Sequence, residues 1–163
     1  MMSMDETLKM RLNLYISARN LKDLDLMTKS DPCAAVFEKK QSGWVQIGKT
    51  EKIKNNLNPD FEQAIEVDYY FERLQPLKIS VIDDDHDGEF QEIGTVETNM
   101  GSLMGAKAQT YSADLHKGGQ GGRGTIIIRA EAVQSSNVNA TFNVAWQNVN
   151  NLSKGFIGIG RKR

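Results

Sequence analysis

Alternation with a period of two dominates this chain. In LKMRLNLYISA, Leu8, Met10, Leu12, Leu14 and Ile16 fall on one face; in LKISVI, Leu77, Ile79 and Val81 do so; in TIIIRAEA, Ile126, Ile128, Ala130 and Ala132 follow the same rule. Successive side chains of a strand point to opposite faces, so each stretch predicts a strand with one face buried and the other wet. CAAVFEK, WVQIGKTEKI, AIEVDYYF, EIGTVET and AQTYSADL predict shorter strands, separated by KSDP, KNNLNPD and HKGGQGGRG, whose Gly, Pro, Asn and Asp favour turns. Eight strands without a long amphipathic helix predict an all-β protein, an antiparallel β-sandwich.

Length and charge narrow the function classes. The 163 residues suit one domain with about thirty to spare. After Val133, QSSNVN predicts a polar linker over 134–139, and ATFNVAWQNV predicts one more strand within 140–163. A formal charge of -1 speaks against a general nucleic-acid binder and leaves electrostatic work to local patches. Cys33 is the only cysteine, which excludes an internal disulfide and suits a reducing compartment. No apolar run approaches the ~18 residues of a membrane-spanning helix, and MMSMDETLKM lacks the layout of a secretion signal. The expectation is a soluble, cytoplasmic monomer.

One stretch breaks this even distribution of charge. Between Ile82 and Ile93 stand Asp83, Asp84, Asp85, Asp87, Glu89 and Glu92, with no Lys or Arg among them. Two carboxylates ~4 Å apart at an effective dielectric of ~20 repel by roughly 4 kcal/mol. Asp83, Asp85 and Asp87 alternate and Gly88 follows, as in the first half of an EF-hand loop; the bidentate Glu of the second half is replaced by Gly94, and the flanks read as strands. Asp25 and Asp31, in DLMTKSDP after the first strand, would lie beside this loop if both sit at one end of a sandwich. Carboxylates from two loops, with carbonyls and water, supply the six to eight oxygens that calcium takes at about 2.3–2.6 Å. The bland alternative is a solvated acidic loop, which leaves the Asp25 and Asp31 spacing to accident.

DLMTKSDP, NNLNPDFEQ and ISVIDDDHDGEFQEIG resemble the calcium- and phospholipid-binding C2 domain. KSDPCAAVF, VDYYFERLQPLKISVID and HKGGQGGRGTIIIRAEA resemble, more narrowly, the first C2 domain of a copine, over Leu8 to Val133. ATFNVAWQNVNNLSKG is similar to the start of the second C2 domain that follows in copines. The resemblance implies an eight-stranded Greek-key β-sandwich over 8–133, with 140–163 the truncated start of a second domain or a tail. It further implies a non-enzymatic module that calcium recruits to anionic membranes such as those containing phosphatidylserine. The implied calcium ligands are Asp25, Asp31, Asp83 and Asp85, with Asp87 and Gln91 second; a fifth family position, usually Asp, is Gln91 here and brings one neutral oxygen.

Around this site the resemblance implies that Leu26, Met27 and Phe90 dip into the bilayer; ordinary packing beneath the loops is the alternative. Lys49, Lys52 and Lys54 in GKTEKIKNN are either an exposed strand face or contacts to anionic headgroups, at roughly 1 kcal/mol each. The rival function is a calcium-independent protein-interaction module, favoured by Gln91. His86 and His116 lack a nucleophile partner, so no hydrolytic set emerges. The glycines from Gly118 to Gly124 lack the Gly-Lys-Ser/Thr ending of a nucleotide loop and predict a hairpin connection.

Overall fold

A computed structural model describes residues 8–84 and 88–133 of the chain. The strands are β1 (Lys9–Arg19), β2 (Pro32–Lys40), β3 (Gly43–Lys49), β4 (Ile65–Tyr70), β5 (Pro76–Asp84), β6 (Phe90–Asn99), β7 (Thr110–Asp114) and β8 (Thr125–Ala132). A short helix, α1 (Met100–Gly105), joins β6 to β7, capped by the Asn99 side chain on the amide of Ser102. Two four-stranded antiparallel sheets result, ordered β4-β1-β8-β7 and β3-β2-β5-β6. The expected sandwich is therefore present. The third strand is shorter than its sequence pattern, ending at Lys49, and Lys52 and Lys54 lie in the β3–β4 connection.

The core follows from register and alternation together. Leu14 lies opposite Ala130, Ile16 opposite Ile128 and Ala18 opposite Ile126 in one sheet; Ala34 lies opposite Val81 and Val36 opposite Ile79 in the other. All ten are buried, facing one another between the sheets. A fully buried aliphatic side chain contributes about 1.5–3 kcal/mol relative to an exposed one, so a one-residue slip of either register would be strongly opposed. Cys33 is fully enclosed, and burial pushes its thiol pKa up.

Alternation has a further result at the ends of β5. Leu77, Ile79 and Val81 face inward, and so does Asp83, which is only 1% exposed. The acidic run was expected to begin outside the strand; instead β5 continues through Asp84 because it stays paired with β2 and β6. Opposite Leu77 in β2, Glu38 is also buried, and its carboxylate meets Lys40 at 3.2 Å and the Gln75 amide at 3.3 Å. The buried acid at that end thus has partners for its charge, while among the described residues no cation pairs with Asp83.

Candidate metal centre at the loop end

Strand directions gather three connections and one pair of strand ends at one end of the sandwich: 20–31 between β1 and β2, 50–64 between β3 and β4, 115–124 between β7 and β8, and the end of β5 beside the start of β6. Asp31, at the end of the first connection, is their hub. Its amide donates to Asp83 Oδ1 at 2.8 Å, its carbonyl accepts from the amide of Asp84 at 3.1 Å, and its Oδ1 accepts from the amide of Asn55 at 2.8 Å. Two more bonds, Asn56 amide to Ser30 carbonyl and Ile53 amide to Pro32 carbonyl, hold the 50–64 segment against the same place. Asp31 is 6% exposed, so both Asp31 and Asp83 sit below the surface rather than on it.

Asp83 carries the decisive detail. Its Oδ1 is used by the Asp31 amide, whereas its Oδ2 is buried without a hydrogen-bond partner among the described residues. A buried polar atom left unpaired costs about 1–3 kcal/mol, more for a charged group, and such atoms are rare in folded proteins. The donor chemistry is hard oxygen, and the orphan atom stands where two loops meet; both suit an oxygen-seeking cation. Among the described residues no three His, Cys, Asp or Glu side chains are grouped to hold a metal ion. Asp85 and Asp87 lie outside the described residues.

The other expected residues divide by position. Asp25 is partly exposed in the first connection, and its Oδ2 accepts from the Thr28 hydroxyl at 3.5 Å. Gln91 lies directly across from Asp83 in the β5–β6 ladder and is exposed. Leu26 and Met27 are fully exposed at the tip of the first connection, and Phe90 is 60% exposed at the start of β6, so packing beneath the loops does not describe them. The lysines are not equivalent. Lys52 Nζ lies 3.3 Å from the Asp84 carbonyl and 3.9 Å from its Oδ1; Lys49 Nζ stands 5.1 Å from the Phe90 ring centroid; Lys54 is exposed.

Several residues that build the site carry no signal in the sequence pattern. Asp23 Oδ1 accepts from the amides of Asp25 and Ser30, each at 3.2 Å, and Ser30 Oγ accepts from the amide of Leu24 at 3.1 Å. This local box shapes the loop that projects Leu26 and Met27. Glu51 pins the β3–β4 connection by accepting from the amides of Glu62 at 2.6 Å and Gln63 at 2.9 Å. Burial alone would raise the Glu51 carboxyl; the amide bonds from Glu62 and Gln63 outweigh it and hold the group below its usual range.

The C2 domain family model matches residues 10–115. The chain belongs to the C2 domain family. Its curated relatives are copines: Copine-D of Dictyostelium discoideum is 38% identical over 143 residues, 82% of this chain and 27% of that protein. Copine-E of the same organism is 37% identical over 136 residues, 79% of this chain and 23% of that protein. The C2 chain thus spans about a quarter of the length of the relatives it matches. Among solved structures, BON1-C2B is 25% identical with a TM-score of 0.60, covering 82% of this chain and 99% of that one. No helix among the described residues is long and apolar enough to cross a membrane.

Proposed function

We propose that this C2 chain is a calcium-dependent module for anionic phospholipid membranes, the membrane-targeting part of a copine-like cytoplasmic protein. The observation that carries the reading is the buried, unpaired Oδ2 of Asp83 beside Asp31 at the meeting point of the loops. Asp83, Asp31 and Asp25 would hold the ion together with Asp85, Asp87 and Gln91. Bound calcium would supply positive charge and open coordination positions to lipid phosphate or carboxylate oxygens. Without it, the carboxylates repel an anionic surface. Leu26, Met27 and Phe90 are exposed around this end and are available to enter the bilayer, while Lys49 and Lys54 contact headgroups at the flank.

Calorimetric titration of the metal-free chain with calcium, in the presence and absence of vesicles containing phosphatidylserine, tests the proposal. Calcium binding that tightens with vesicles is the expected result. Absence of calcium binding, or vesicle binding that persists unchanged in chelator, would overturn it and favour a calcium-independent protein-interaction module.

A further inference from the structure

The glycine-rich connection between β7 and β8 has no part in the calcium site, although it stands beside it. Asp114 pairs with Thr125 at the base, and residues 115–124 project at the loop end. The amide of Lys22 donates to the Arg123 carbonyl at 3.1 Å, and a Cβ at Gly124, whose φ is +114°, would come within 2.9 Å of Leu21 Cα. That close approach requires glycine. On the other side, Thr95 and His116 exchange backbone hydrogen bonds of 2.8 and 2.9 Å, Lys117 Nζ reaches the Glu92 carbonyl at 3.2 Å, and Arg123 Nε donates to the Ile93 carbonyl. The hairpin is therefore clamped between the first connection and the start of β6.

Its tip is open in both shape and chemistry. Lys117 and Gln120 close the turn through reciprocal backbone bonds of 3.0 Å, and the amides of Gly118, Gly119, Gly121 and Gly122 have no acceptor among the described residues. A Cβ added at Gly118, Gly119 or Gly122 would meet nothing within 4 Å, so the backbone can approach a flat surface closely. Residues 115–124 contain Lys117, Arg123 and His116 and no acid. Among the described residues, neither Lys117, Arg123 nor the adjoining exposed Lys22 is ion-paired with a carboxylate. Of the nearby acids, Asp23 accepts from the amides of Asp25 and Ser30 and Asp114 from the Thr125 hydroxyl, while Glu92 meets Lys117 through its backbone carbonyl.

We infer that this hairpin, with Lys22, is a second membrane-contact element that takes the phosphodiester groups of acidic lipids independently of calcium. The inference rests on the membrane reading above and deepens it. A lipid surface fits better than an acidic peptide because the fully exposed Leu26 and Met27 project from the same end, giving apolar and cationic groups a common partner. Free N–H groups of successive glycines bind phosphate oxygens, and the lysines add charge that salt screens over about 8 Å at physiological ionic strength. The result is a surface with a calcium-gated pocket next to a permanently basic edge.

The test uses the whole chain with phosphatidylcholine vesicles that contain or lack phosphatidylserine, in calcium and in chelator. Wild type, K22Q, K22Q/K117Q and D83N are compared by co-sedimentation. Each charge removed weakens binding to the acidic vesicles by about fivefold, and the double variant by about 25-fold, both in calcium and in the weaker binding left in chelator, with a flatter salt dependence. Calcium affinity measured without lipid stays at the wild-type value in K22Q, which leaves the Lys117 contact to Glu92 intact. Wild-type-like vesicle binding by K22Q and K22Q/K117Q, with loss confined to D83N, overturns the hairpin element alone. Failure of the wild type to bind acidic vesicles under any condition overturns both this inference and the reading beneath it.

Discussion

Replacing Asp83 by Asn separates what the site costs the metal-free chain from what it gains with an ion. Asn retains an oxygen for the Asp31 amide, now bonded at 2.8 Å to Asp83 Oδ1, and removes a negative charge whose second oxygen is buried and unpaired. The unsatisfied atom costs about 1–3 kcal/mol as a polar group; its amide replacement stays unpaired but uncharged, so about 1 kcal/mol of relief is expected. A domain of this size shifts its Tm by about 2–4 °C per kcal/mol, which puts the metal-free variant a few degrees above the wild type. Calcium acts in the opposite direction. At a hundredfold excess over Kd, binding to the native state alone stabilises the wild type by about 2.7 kcal/mol, or roughly 5–10 °C, and most of that shift vanishes in the variant. Thermal unfolding in chelator and in calcium reads both quantities. A variant that melts lower than the wild type in chelator and keeps its full calcium shift would refute the reasoning, since Asp83 would then be a structural acceptor and no ligand.

Three further outcomes follow from the same geometry. Gln91→Asp adds a second charged oxygen across the ladder from Asp83, and calorimetry should show calcium affinity about tenfold higher, equal to roughly 1.4 kcal/mol; unchanged affinity would place residue 91 outside the ion's shell. Leu26→Ala with Met27→Ala should leave the unfolding free energy within about 0.5 kcal/mol of wild type, because both side chains are fully exposed, yet reduce vesicle binding tenfold or more. Equal vesicle binding would remove them from the membrane contact. Glu51→Gln should destabilise the chain by about 1 kcal/mol at neutral pH through loss of the charged acceptor for the Glu62 and Gln63 amides. Because the folded carboxyl is held low, its stabilisation is present above the unfolded pKa and is lost as pH falls through the folded pKa, so the two proteins should converge in acid melts. A gap that persists unchanged in acid would assign Glu51 a packing role.

Much of this protein was legible in its residues because a strand records its burial locally. The runs at Leu12, Leu14 and Ile16, at Leu77, Ile79 and Val81, and at Ile126 and Ile128 declare both the strand and its inward face, and the glycine and proline clusters mark the connections. Two acidic loops at one end also followed, since alternating strand directions send the connections after the first and fifth strands the same way. The resemblance to copines, carried by whole motifs, agrees with the relatives found by comparison.

What each carboxylate does was decided by tertiary structure alone. Asp83, Asp84 and Asp25 look alike in sequence, yet Asp83 inherits the inward parity of Val81 and is buried, Asp84 turns toward Lys52, and Asp25 remains partly exposed in a loop shaped by Asp23 and Ser30. Lys49 and Lys52 were indistinguishable members of a basic run until folding set one over the Phe90 ring and the other beside Asp84. Strand formation depends on neighbours two residues apart, which the sequence displays directly. The charge environment of a site depends on groups brought together from 23 to 31, 50 to 57, 83 and 84, 92 and 93, and 115 to 124, and only the closed sandwich sets those distances.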